Sequence, residues 1–173
     1  MENPYRAPEV DSVSPARGAV LPIERRASWA VGRVRLLAIL LLAQGILESI
    51  VGLVSLSAGT LVLITYSQPN VQPPAGTSPQ QMTIVFFGLA AVLLIPAGLH
   101  IWAGIANLSF RGYTLGLVAL GGTSIALFSG ICAPTGLPLM VYGLIVYLQP
   151  DVADAFQLGE EGQSPEAILE AYR

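Results

Sequence analysis

The sequence predicts an all-α fold, a four-helix transmembrane bundle with both termini cytoplasmic. Three observations carry this reading. Hydrophobic residues make up 53% of the 173-residue chain and charged residues 11%, against about 25% charged in soluble domains. The charges are also sorted by position. Between Leu36 and Gln149 the only Asp, Glu, Lys, Arg or His residues are Glu48, His100 and Arg111. Finally, that span divides into four apolar stretches separated by segments rich in Pro, Gly and polar residues. Mean hydropathy is +0.65, while the net charge of −3 says little because the charges are segregated.

Residues 1–33 read as a disordered cytoplasmic tail, punctuated by Pro4, Pro8, Pro15 and Pro22 and lacking apolar periodicity. Toward its end come Arg25, Arg26, Arg33 and Arg35, with Trp29 among them. Cations beside an interfacial aromatic form a juxtamembrane pattern, suited to anionic lipid headgroups. A signal peptide fits poorly, because the first apolar stretch begins late and runs well past the ~7–15 residues of a signal core. It is expected to stay as a membrane helix.

The first helix is expected over about residues 36–66. At 1.5 Å per residue it would reach about 46 Å, more than the ~30 Å hydrocarbon core, so it must tilt, bend or project. Residues 67–81 carry four prolines and no charge, which predicts a loop of polyproline character with Ser78-Pro79 leading into the next helix. The second helix is expected over about 82–108, kinked at Pro96, and the third over about 113–131. The fourth, about 137–149, is short and needs help from residues 133–136. Residues 150–173 read as an acidic cytoplasmic tail. A short amphipathic helix is expected there with Val152 and Phe156 on one face, and a frayed end with a second short helix from Pro165.

Arginine sets the orientation. With four spans, all eight arginines fall on one side, Arg111 in the second loop included. The positive-inside rule makes that side cytoplasmic. The expected location is the inner (plasma) membrane, multi-pass, with the Asn107-Leu108-Ser109 sequon facing inward and unused.

Glu48 is the feature that asks for an explanation, since an acid at membrane depth is costly and usually has a partner or a task. Gln44, Glu48, Gly52, Ser55 and Gly59 share one helix face, and Gly45, Gly52 and Gly59 recur every seven residues. Small residues of this kind let helix backbones approach closely in lipid. On the second helix His100, Gly104, Asn107 and Arg111 share a face. Glu48 lies roughly 20 Å past Arg35 and His100 roughly 17 Å before Arg111, counted at 1.5 Å per residue. Antiparallel neighbours would bring the two together. Glu48, His100, Gln44 and Asn107 are therefore expected to form an intramembrane polar cluster, serving either as polar glue or as a proton or cation site. Gly45, Gly52, Gly59 and Gly104 are the expected packing positions.

Other chemistry finds little support. The lone Cys132 excludes an intrachain disulfide and a Cys-based redox pair, and it reads as a small apolar residue at a helix end. No HExxH zinc motif and no glycine-rich nucleotide loop following a strand occurs, so neither cofactor nor metal is expected. The basic cluster lacks the context for nucleic-acid binding. A nucleophile–base set for an intramembrane enzyme is not evident. The expected partners are membrane lipid and a second copy or another membrane protein.

Two resemblances bear on class. The opening Met1-Glu-Asn-Pro-Tyr-Arg-Ala-Pro-Glu9 and the closing Leu137-Pro-Leu-Met-Val-Tyr through Asp151-Val-Ala-Asp-Ala-Phe156 resemble a group of uncharacterised small bacterial four-helix membrane proteins with an Asn-Pro-Tyr-x-x-Pro start. That likeness implies class and compartment, with no activity attached. Ile46-Leu-Glu48-Ser-Ile-Val-Gly52 is similar to the Glu-containing stretch of small multidrug resistance transporters, four-helix proteins that act as dimers and exchange protons for cationic drugs. By that likeness Glu48 alone would be the coupling acid. His100 and the proline-rich loop depart from their pattern. The function expected is a non-enzymatic packing or interaction subunit, with a small proton-coupled transporter or channel subunit using Glu48 as the alternative.

Overall fold

The computed structural model describes residues 28–68, 71, 73, 76, 78–127 and 133–173. These form six helices: α1 (Trp29–Tyr66), α2 (Pro79–Leu108), α3 (Tyr113–Leu127), α4 (Ala133–Tyr147), α5 (Pro150–Glu160) and α6 (Pro165–Ala171). No strand occurs among the described residues. The expectations for Arg25, Arg26, Cys132 and most of the N-terminal tail fall outside them.

Helix α1 starts at Trp29, well before the expected Leu36, so residues 29–33 belong to a helix and not to a disordered tail. Arg33 and Arg35 do not interrupt it, because arginine is a good helix former. The extra turns gain burial instead: Ala30, Val31 and Val34 are fully buried at helical spacing. At 38 residues α1 reaches about 57 Å, and Glu48 lies near its midpoint.

Helix α2 begins at Pro79, with Ser78 in extended conformation before it. Proline suits this first position, where its missing N–H would have had no partner. Pro96 is accommodated inside the helix and buried. The pair α1–α2 is the most extensive contact in the chain, and glycine makes it possible. A Cβ on Gly45 would lie 2.9 Å from the Ala97 carbonyl oxygen, and one on Gly104 2.9 Å from that of Ala38. A Cβ on Gly52 would lie 2.8 Å from the Leu94 side chain, and one on Gly59 3.0 Å from Phe86 Cβ. All four predicted packing glycines thus lie at the contact between α1 and α2.

The turn into α3 is tight. Phe110 has φ 50° and Gly112 φ 73°, both left-handed, and Arg111 N–H donates to the Ala106 carbonyl. Phe110 holds this strained backbone because its ring is fully buried, edge-on to Phe156 at 5.8 Å. Helix α3 packs on α2, α4 on α3, and α4 returns to α1. Helix α4 begins at Ala133, upstream of the expected Leu137, and contains Pro138.

Pro150 cannot continue α4 and drives Gln149 into extended backbone. The chain turns by 79° between α4 and α5. Val152, Ala155, Phe156 and Gly159 form the buried stripe of α5. After Gly162, at φ 95°, Ser164 caps α6 through its hydroxyl. Ile168, Ala171 and Tyr172 are buried. The amphipathic helix expected at the start of the C-terminal segment is α5, and the end expected to fray is instead docked as α6. The segment's apolar residues join Ala30, Val31, Val34 and Leu37 in the main hydrophobic cluster. The N–H of Ser28 donates to the Tyr172 carbonyl at 3.1 Å, which brings the two described ends together.

Helices α1 and α2 are long and apolar enough to cross a membrane, with mean hydropathy 2.2 and 2.4, and α4 with α5 makes a third candidate if the bent pair is counted as one span. Outward-facing Ile39, Ile46, Ile50, Ile95, Trp102 and Ile105 are exposed, as a lipid-facing surface requires.

Candidate functional site

The site is built from three helices. From α1, Gln44 and Glu48 stand one turn apart on the face that meets α2, and the Gln44 amide donates to Glu48 Oε1 at 2.8 Å. Gly45, beside them, lets α2 approach closely enough for His100 to reach across. His100 Nδ1 lies 2.7 Å from Glu48 Oε2. From α3, Thr123 Oγ1 lies 2.9 Å and the Ala119 carbonyl 3.0 Å from His100 Nε2. Thr123 also donates to Ala119 at 3.3 Å. Glu48, His100 and Thr123 are fully buried, and Gln44 is 5% exposed.

Proton positions follow from the partners. A backbone carbonyl only accepts, so His100 Nε2 carries a hydrogen and shares it between Ala119 and Thr123. One further proton lies between Nδ1 and Glu48 Oε2. Placed on nitrogen it gives an imidazolium–carboxylate pair, and placed on oxygen a neutral imidazole and carboxylic acid. Both arrangements use the same contacts and leave the cluster neutral overall. A buried carboxylate needs partners of this kind, because an unpaired buried charge would be very costly.

The order acid–histidine–hydroxyl has the outline of a hydrolase triad, but the chemistry is set against it. In such a triad the resting Nε2 offers a lone pair to the hydroxyl. Here Nε2–H faces the Ala119 carbonyl, and Thr123 has no exposed surface for a substrate to reach. No group of three or more His, Cys, Asp or Glu side chains suited to a metal occurs among the described residues.

The structure thus brings together Gln44, Glu48 and His100. Asn107, expected in the same cluster, is not part of it. It lies two helical turns along α2, about 10 Å away at 1.5 Å per residue, and its Nδ2 bonds the Tyr147 hydroxyl at 2.5 Å. Tyr113 donates to the Tyr147 carbonyl at 2.8 Å, which closes a second polar group near the ends of α2, α3 and α4. The expected face alignment places Asn107 below His100 and does not bring them into contact. Thr123, in contrast, was missed. It lies ten residues into α3 from Tyr113, about 15 Å, so the same depth count that pairs Glu48 with His100 would have selected it.

Of the basic residues, Arg33 and Arg111 are exposed. Arg35 is ion-paired to Glu166 of α6 at 3.1 Å. Comparison with protein-family models, curated proteins and solved structures gives no match.

Proposed function

We propose that the chain is a non-enzymatic integral membrane protein with four spans, α1 to α4, and both termini cytoplasmic. It acts by association with other membrane proteins or with a second copy, and the Glu48–His100–Thr123 cluster is the lock that holds its spans together. One observation carries the lock: the cluster joins three helices, each interhelical contact has a donor and an acceptor, and no part of Glu48, His100 or Thr123 is exposed. The arginine distribution and the shared end of α1 and α6 support the orientation. For association, the support is the far arm of α1 and α2. There Leu61, Leu63, Ile64, Ile84 and Val85 are exposed, and Ser55 and Gly59 are the buried positions of α1.

A second reading, proton-coupled transport through Glu48, is favoured by the 2.7 Å contact between its carboxylate and the His100 imidazole. Proton flux into proteoliposomes under an imposed gradient separates the two. The lock reading expects no flux above protein-free vesicles for wild type or Glu48→Gln. Wild-type flux that Glu48→Gln abolishes would replace it with the transport reading.

A further inference from the structure

Arg33 and Arg35 stand two residues apart on α1 and meet different fates. Arg35 pairs with Glu166. Arg33 is exposed and makes no ion pair or hydrogen bond among the described residues. At 3.6 residues per turn the two side chains leave the helix on nearly opposite sides. Arg33 shares its side with Trp29, itself 59% exposed, and with Leu40 and Leu47, each seven residues further on.

Below Arg33 that same side opens into a groove of about 450 Å³ between α1 and α4. Leu40, Ala43 and Leu47 form one wall, Pro138 and Leu139 belong to the other, and Gln44 also lines it. Leu40 and Leu47 lie roughly 10 and 21 Å beyond Arg33 along the helix axis. Half of a ~30 Å hydrocarbon core falls within that range. The groove therefore lies at acyl-chain depth in the leaflet on the side of the termini, with a cation that has no partner among the described residues at headgroup level directly above it.

We propose that Arg33 and this groove form one binding site for an anionic phospholipid of that leaflet. The phosphate pairs with the Arg33 guanidinium, Trp29 lies at the interface beside it, and one acyl chain runs along α1 into the groove. The walls suit a chain because they are almost wholly apolar, and lipid is the medium from which the groove fills. The headgroup is selected by the one α1 arginine that the C-terminal helices leave uncompensated. The site rests on the membrane placement of α1 and is independent of the role of Glu48. Whether the chain leaves membranes only with detergent tests that placement separately.

The experiment is native mass spectrometry of the full chain in detergent, titrated with phosphatidylglycerol or phosphatidylcholine. The wild type is expected to retain one phosphatidylglycerol per chain about fivefold more tightly than phosphatidylcholine, the scale of one basic residue at an anionic surface. Arg33→Gln removes the preference. Ala43→Phe and Leu47→Trp, which fill the groove from lipid-facing positions, weaken both lipids. Arg111→Gln, an exposed arginine away from the groove, leaves retention unchanged. Retention unaffected by Arg33→Gln and by both filling variants would overturn the site, as would a preference that Arg111→Gln removes equally.

Discussion

Glu48 Oε2 lies 2.7 Å from His100 Nδ1 across the α1–α2 interface, and both side chains are fully buried. The pair depends on backbone approach as much as on polarity. Gly45, one turn from Glu48, has no room for a Cβ between Ile101 and the Ala97 carbonyl. Polar contact and glycine contact are two parts of one helix–helix interface.

Substitutions at Glu48 should separate by hydrogen bonding and not by charge. Glu48→Gln retains an oxygen for Gln44 and an N–H for His100 Nδ1, so stability should change little. Glu48→Ala leaves both partners buried and unpaired, at a cost of about 1–3 kcal/mol each. Unfolding of the detergent-solubilised protein checks both. Equal losses for Gln and Ala would show that the charge itself matters.

The glycines divide into two classes. Gly104→Ala places a Cβ 2.9 Å from the Ala38 carbonyl and 2.6 Å from Leu42 Cγ, and should cost about 1–3 kcal/mol through forced separation of the helices. Gly88 and Gly98 have nothing within 4 Å of such an atom. Alanine there should be neutral or slightly stabilising, since it removes the helix penalty of glycine. Melting temperatures of the variants provide the comparison.

Docking of α5 depends on Gly159, where a Cβ would strike the Phe110 carbonyl. Gly159→Ala should lift α5 from the α2–α3 turn and release the Phe110–Phe156 contact. The readout is amide exchange, faster across α5 and α6 and unchanged around Glu48. Uniform protection in wild type and variant would contradict the contact.

The Arg35–Glu166 pair should contribute little to stability. Its side chains are 43% and 77% exposed, and exposed pairs are worth about 0–1 kcal/mol. Glu166→Gln should move the melting temperature only marginally, while Ile168→Ala on the same helix, fully buried, should cost about 2–5 kcal/mol.

Much of this was legible in the sequence for physical reasons. Apolar stretches with few charges mark membrane-type helices, and depth counting from the arginines pairs Glu48 with His100. Face alignment alone was insufficient for Asn107, because residues on one face can still lie two turns apart. The amphipathic helix at the start of the C-terminal segment is legible from Val152 and Phe156, but the docking of its end is not, because Glu160, Glu161, Glu166 and Glu170 dominate the composition there. The early start of α1 is hidden because Arg33 and Arg35 stand beside the buried Ala30, Val31 and Val34 in sequence.

The most direct test of the lock is a double-mutant cycle on Glu48→Ala and His100→Ala, measured by reversible unfolding in detergent or bicelles. The structure predicts strong non-additivity, with a coupling energy of about 0.5–3 kcal/mol as for contacting residues. Additive losses would mean that the two side chains do not depend on one another, and would contradict the proposal that their contact holds α1 to α2.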